Sequence, residues 1–294
     1  MFNSMVVFLI LAFKLTFKDE IMNGNLRYDL ARRLADLYSR FQQVEAVALS
    51  GSLASGVADD AGSDLDLYVF TTAVIPLPER LSLVEQAGGA SRADMNLEYW
   101  DPGDEWFDAR TGIEVDAVYW DTQWIERFLA RVLRDHQASI GYSTAHWNTI
   151  VQAQPLFDRS GWFARLQEDC RQPYPEDLRR AIIDWNLALL RDVIPSYVRQ
   201  LEKAVRRRDL VSTNHRAAAF LASYFDVIFA FNRVLHPGEK RLVAQAERLC
   251  ARLPVDMAGQ VADLLRQCGS PGPELVSAAH RLVDGLEAMV RSER

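Results

Sequence analysis

Val44-Glu45-Ala46-Val47-Ala48-Leu49-Ser50-Gly51-Ser52, followed after an eleven-residue spacer by Asp64-Leu65-Asp66-Leu67-Tyr68-Val69-Phe70, is the stretch that decides the fold. Two apolar runs flank a small-residue step and a polar, Gly-containing loop. Alternate side chains of a strand share a face, so Asp64 and Asp66 point one way and Leu65 and Leu67 the other. Two carboxylates that close repel each other unless a cation sits between them. Hard oxygen ligands suit Mg²⁺, which keeps positions open for water and phosphates. Gly51 and Ser52 follow a strand and open a short helix. That puts free N–H groups and a hydroxyl where an anion would lie, with Ser63 as a further hydroxyl. The plainer alternative is a hairpin with a solvated acidic strand end.

A second acidic strand follows. In Thr111-Gly112-Ile113-Glu114-Val115-Asp116-Ala117-Val118-Tyr119-Trp120, Glu114 and Asp116 share a face. The plain reading leaves one of them in a solvated position. Glu98 is a further acidic candidate, for a base or a substrate contact or for the surface. Trp100, Trp106, Trp120 and Trp124 offer rings that stack on a substrate or fill the core.

The Gly-Ser step, spacer, Asp-x-Asp strand and later acidic strand together resemble the nucleotidyltransferase superfamily typified by DNA polymerase beta. The resemblance implies an α+β head on a mixed sheet, a two-Mg²⁺ site on Asp64, Asp66 and Asp116 with Glu114 as a further ligand or the base, and phosphate contacts from Gly51, Ser52 and Ser63. It implies transfer of a nucleoside monophosphate, AMP from ATP, to a hydroxyl of a small molecule such as an antibiotic. Transfer to a protein or RNA, as in toxin–antitoxin systems, and a non-catalytic nucleotide-binding module are the alternatives. The partners expected are therefore a nucleoside triphosphate and a small-molecule acceptor.

Asn214-His215-Arg216, Tyr224-Phe225-Asp226, Asn232 through Arg241, Gly103-Asp104-Glu105-Trp106 and His146-Trp147 resemble an uncharacterised bacterial family with such a head and a helical tail. That likeness runs from about residue 26 to 255 and implies a helical domain that closes over triphosphate. Lys240, after His236-Pro237-Gly238, becomes a phosphate contact on this reading, or else a solvated helix-end charge. His215 and Arg216 read as buried or capping.

The chain has 294 residues, enough for one large or two modest cores, and a formal net charge of −7. That charge argues against a long nucleic-acid partner. Cys170, Cys250 and Cys268 are an odd number without metal or redox spacing, and read as buried thiols of a cytoplasmic protein. Met5 to Phe13 is apolar but too short to span a bilayer, and no positive residue precedes it. A mis-assigned start, with Met22 as initiator, is the preferred account of residues 1–25. A membrane or partner anchor is the alternative.

Leu26, Leu30, Leu34, Leu37 and Phe41 recur at helical spacing. Strands are expected at 44–49, 65–71, 96–100 and 113–120, with a helix near 79–87 stopped by Gly88-Gly89. After Thr122 only helices are expected: 122–134, 161–171, 176–207 split at Pro195, 212–235, 239–252 and 274–291. The domains follow as 26–135 for the nucleotidyltransferase-like head and 136–294 for an all-α helical domain.

Overall fold

The structure is a computed structural model that describes residues 26–51 and 64–293. The chain forms two compact units that interleave in sequence. The first takes residues up to Arg127 and Ile150–Arg171; the second takes Phe128–Thr149 and Gln172–Arg294.

The first unit is built on a six-stranded mixed sheet. Its strands are β1 (Val44–Leu49), β2 (Leu65–Thr71), β3 (Ala90–Leu97), β4 (Gly103–Asp108), β5 (Glu114–Asp121) and β6 (Gln154–Asp158), in the order β3-β4-β5-β2-β1-β6. β2 and β5 run parallel, and the other neighbours are antiparallel. One face of the sheet carries Val47, Leu49, Leu67, Val69, Val115 and Ala117, all buried. Helix α1 (residues 26–38) covers it with Leu30, Leu34 and Tyr38, and α2 (Leu77–Ala87) with Leu83 and Val84. The helical spacing of the leucines thus becomes a buried stripe. α2 ends where expected, at Gly88 with φ 129°, a backbone that glycine adopts without strain.

The second unit is helical. α3 (Thr122–Leu133) and α4 (Ala145–Gln152) each carry the chain from one unit into the other. Within the second unit, α6 (Glu176–Leu187), α7 (Tyr197–Arg207), α8 (Leu210–Phe231), α9 (Leu242–Leu249), α10 (Met257–Gln267) and α11 (Pro273–Arg291) follow α5 (Trp162–Cys170) of the first. α8 is buried along most of its second half, including Phe220, Tyr224, Phe225 and Phe229. The run expected at 176–207 divides at a π turn, Ala188–Asp192, and Ser196 after Pro195 starts α7. Among the described residues, no helix is long and apolar enough to cross a membrane.

Four expectations from the sequence are corrected. The strand expected at 96–100 ends at Leu97, and residues 98–102 form the tip of the β3–β4 hairpin. β4 stands where no strand is expected. Strands do not stop at Thr122, because β6 returns to pair with β1, with Ala46 opposite Asp158. That pairing brings Ile150–Arg171 back to the first unit, beside the sheet. His215 and Arg216 are exposed on α8, whose cap is Asp209, accepting from the Ser212 backbone N–H at 3.0 Å.

Candidate active site

The parallel pairing of β2 with β5 sets Asp66 directly opposite Asp116. The antiparallel pairing of β4 with β5 sets Glu105 opposite Asp116 on the other side. Residues opposite one another in a sheet share a face. Asp66, Asp116 and Glu105 therefore form one row across three strands, on the face away from the α1 core. Asp64 immediately precedes β2, two residues before Asp66.

The row is electrostatically coupled. Asp116 is pushed up to about 6, first by burial and then by the charges of Asp66, Glu105, Asp64 and Asp101. A half-buried carboxyl surrounded by carboxylates holds its proton longer than a solvated one. Glu114 lies two residues before Asp116, so it shares this face, but it is exposed at the first position of β5.

Gly51 closes one side of the row. Its φ is 70°, and a Cβ built there would fall inside the Asp66 carboxylate. The Ser50 N–H donates to the Asp66 carbonyl oxygen at 3.0 Å. Backbone thus lies against the acid at a place where only glycine fits. Ser52 and Ser63, the other expected phosphate contacts, lie outside the described residues, as do residues 1–25. Lys240 is exposed in the second unit, on the turn before α9. The helix expected from 239 begins at Leu242, with Arg241 at its N-cap.

Among the described residues, no three His, Cys, Asp or Glu side chains are gathered into a metal-ligand set. The donor chemistry nonetheless fits a divalent cation: oxygen ligands only, in a like-charge cluster that a cation would relieve.

Sequence reasoning missed Glu105 and Asp101. No hydropathy signal marks Glu105, because Gly103-Asp104-Glu105-Trp106-Phe107-Asp108 does not alternate polar with apolar. The four tryptophans divide as the sequence left open. Trp106 and Trp120 are buried at 2% and 3% exposure, whereas Trp100 is 93% exposed at the hairpin tip.

The cysteines are free and buried, as expected. Burial raises the Cys170 thiol to about 12 and Cys250 to about 11. Such thiols are poor nucleophiles.

A family model described as a domain of unknown function, DUF4037, matches residues 143–242. No curated protein matches. Among solved structures, the chain is similar to a nucleotidyltransferase-like protein from Exiguobacterium sibiricum 255-15, at 13% identity over 90% of this chain and 74% of that one, with a TM-score of 0.41. It is similar to an aminoglycoside 6-adenyltransferase from Bacillus subtilis, at 11% identity over 92% and 91%, with a TM-score of 0.26. It is also similar to the CCA-adding enzyme of Thermotoga maritima complexed with tRNA, at 11% identity over 90% and 80%, with a TM-score of 0.30. Likenesses this distant decide nothing about chemistry. That rests on the residues of the row.

Proposed function

We propose that this protein is a metal-dependent nucleotidyltransferase that moves a nucleoside monophosphate, AMP from ATP, onto a hydroxyl of a small molecule. The observation that carries the reading is the register that sets Asp66 opposite Asp116 on parallel strands, with the Gly51 backbone packed on Asp66.

Asp64, Asp66 and Asp116 would hold Mg²⁺. Bound there, Mg²⁺ supplies charge neutralisation for a triphosphate and acidifies the acceptor hydroxyl. Gly51, together with Ser52 and Ser63, would bind phosphate oxygens. The reaction forms a bond from the acceptor oxygen to the α-phosphorus. It breaks the bond from that phosphorus to the bridging oxygen, and pyrophosphate leaves with the electron pair. The hydroxyl proton goes to a carboxylate of the row. Glu114 and Glu105 flank Asp116 for that role, and proton transfer of this kind is worth about 10²–10⁴-fold in rate.

The test is incubation of the full chain with labelled nucleoside triphosphates, Mg²⁺ and a panel of metabolites and antibiotics, read by mass spectrometry. An acceptor heavier by one nucleoside monophosphate, with pyrophosphate released, is expected from the native chain and not from Asp64→Asn. Turnover unchanged from the native chain in both Asp64→Asn and Asp66→Asn would sink the assignment.

A further inference from the structure

β3 ends the sheet on one side. It is eight residues long and exposed from Ser91 to Asp94. The outward N–H and C=O groups of an edge strand can pair with a further strand. Proteins blunt such edges with short strands and with proline. β6, at the opposite edge, is short and contains Pro155. β3 has neither protection.

The pairing of β3 with β4 fixes which face each side chain takes. Ala93 lies opposite buried Trp106, on the face that α1 and α2 cover. Arg92 and Asp94 lie opposite Phe107 and Glu105, on the other face. Their side chains are 73% and 52% exposed and meet each other at 2.8 Å. The register shifts on both sides of this trio, between Ala90 and Arg92 and between Asp94 and Leu97. Arg92 to Asp94 is therefore the regular part of the edge.

That part is complementary to itself. In an antiparallel pair centred on Ala93, Arg92 of each copy stands directly opposite Asp94 of the other, and Ala93 meets Ala93. Opposite charges placed so attract, and like charges repel. Sliding one strand by two residues sets Arg92 against Arg92 or Asp94 against Asp94. Sliding it by one puts the helix-covered face of one copy beside the bare face of the other. Only the register centred on Ala93 satisfies both conditions.

α2 adds apolar surface to the same seam. Its Gln86 meets Arg40, just after α1, at 3.2 Å. At about 100° per residue, Leu77 and Leu81 lie on the opposite flank. They are 37% and 45% exposed. A two-fold axis normal to the sheet keeps the helix-covered faces of both copies on one side, so these leucines flank the joined strands.

We infer that the outer edge of β3 docks a second copy of this chain, antiparallel about Ala93, and joins two six-stranded sheets into one. The interface is isologous and held in register by two Arg92–Asp94 cross-pairs. It stands independently of the reaction proposed for the acidic row.

The test is sedimentation equilibrium of the full chain. The native chain forms a dimer at tens of micromolar, on the order expected of a modest interface, and added salt weakens it. Arg92→Asp leaves only acids at the two positions, and Asp94→Arg leaves only arginines. Each variant alone raises the dimer dissociation constant at least about tenfold. Mixed in equal amounts, the two variants form a heterodimer, because each then meets its opposite charge. The double variant Arg92→Asp/Asp94→Arg dimerises like the native chain. Both side chains are exposed, so the fold survives these changes. A native chain that stays monomeric to about 100 µM overturns the inference. So do single variants that dimerise as the native chain does, which would place the interface elsewhere, and a mixture of the two that remains monomeric.

Discussion

At residue 51 a hydrogen does the work of a side chain. Any Cβ there collides with the Asp66 carboxylate, and φ is 70° besides. Gly51→Ala is therefore expected to displace Asp66 and abolish nucleotide-dependent transfer. The backbone contribution to lost stability is only about 1 kcal/mol, measured as a small drop in the denaturation midpoint. A variant that turns over normally would remove Gly51 from the site. Asp116 gives a second prediction. Its carboxyl is held at about 6 by burial and neighbouring acids. Cations and protons compete for it, so transfer falls as pH drops through about 6 at limiting Mg²⁺. The acid limb moves to lower pH as Mg²⁺ is raised. Asp66→Asn removes one of the charges on Asp116, and the Asp116 carboxyl then titrates lower by carbon NMR. An acid limb indifferent to Mg²⁺ concentration would separate Asp116 from the metal.

Elements show why one part of the site was legible and another was not. β2 and β5 alternate acid with aliphatic, so both the strands and their acidic face follow from sequence. β4 alternates as regularly in burial, but its inward residues are Asp104, Trp106 and Asp108. A strand whose core face holds two aspartates looks like a loop to any hydropathy pattern. Tertiary partners supply what the sequence cannot display. Asp104 accepts from Arg80, from the Asn96 N–H at 2.7 Å and from the Tyr119 hydroxyl at 2.7 Å; Asp108 accepts from Thr111 and Arg33. β6 hid for a different reason. It is short, lies at the sheet edge and contains Pro155, which only an edge strand tolerates. The buried Arg80–Asp104 pair gives the element its own prediction. Asp104→Ala leaves a guanidinium uncompensated in the interior, at a cost of about 3–5 kcal/mol. Urea unfolding reads that loss directly. A cost below about 1 kcal/mol would mean that water already reaches the pair.

On the scale of the whole molecule, the response of stability to acid is set by a few buried groups rather than by the net charge of −7. Asp226 and His236 lie in the second unit at 1% and 0% exposure. Asp226 accepts from the Ser143 N–H, the Ser143 hydroxyl and Asn186 Nδ2, yet burial still raises it to about 7. His236 accepts from the Gly238 N–H through Nδ1, its Nε2 has no hydrogen-bond partner among the described residues, and burial lowers it to about 4. The two act in opposite directions. Between about pH 4 and 7 the folded chain keeps the Asp226 proton that the unfolded chain has released. That contribution is complete below about pH 4 and is lost as pH rises to 7. Over nearly the same window the unfolded chain protonates His236 and the folded chain does not, so that contribution is present above about 6.5 and lost as pH falls to 4. Each amounts to a few kcal/mol, at about 1.4 kcal/mol for every tenfold change in proton affinity, so they largely cancel. Asp226→Asn should then uncover stability that rises with pH from about 4 to 6.5. His236→Gln should uncover stability that falls from about pH 4 to 7, and the double variant should restore a shallow profile. Asp116 in the first unit adds a smaller slope with the sign of Asp226. Denaturant midpoints at closely spaced pH values check the set. Parallel profiles for the two single variants would mean that these groups titrate in the fold as they do in the unfolded chain.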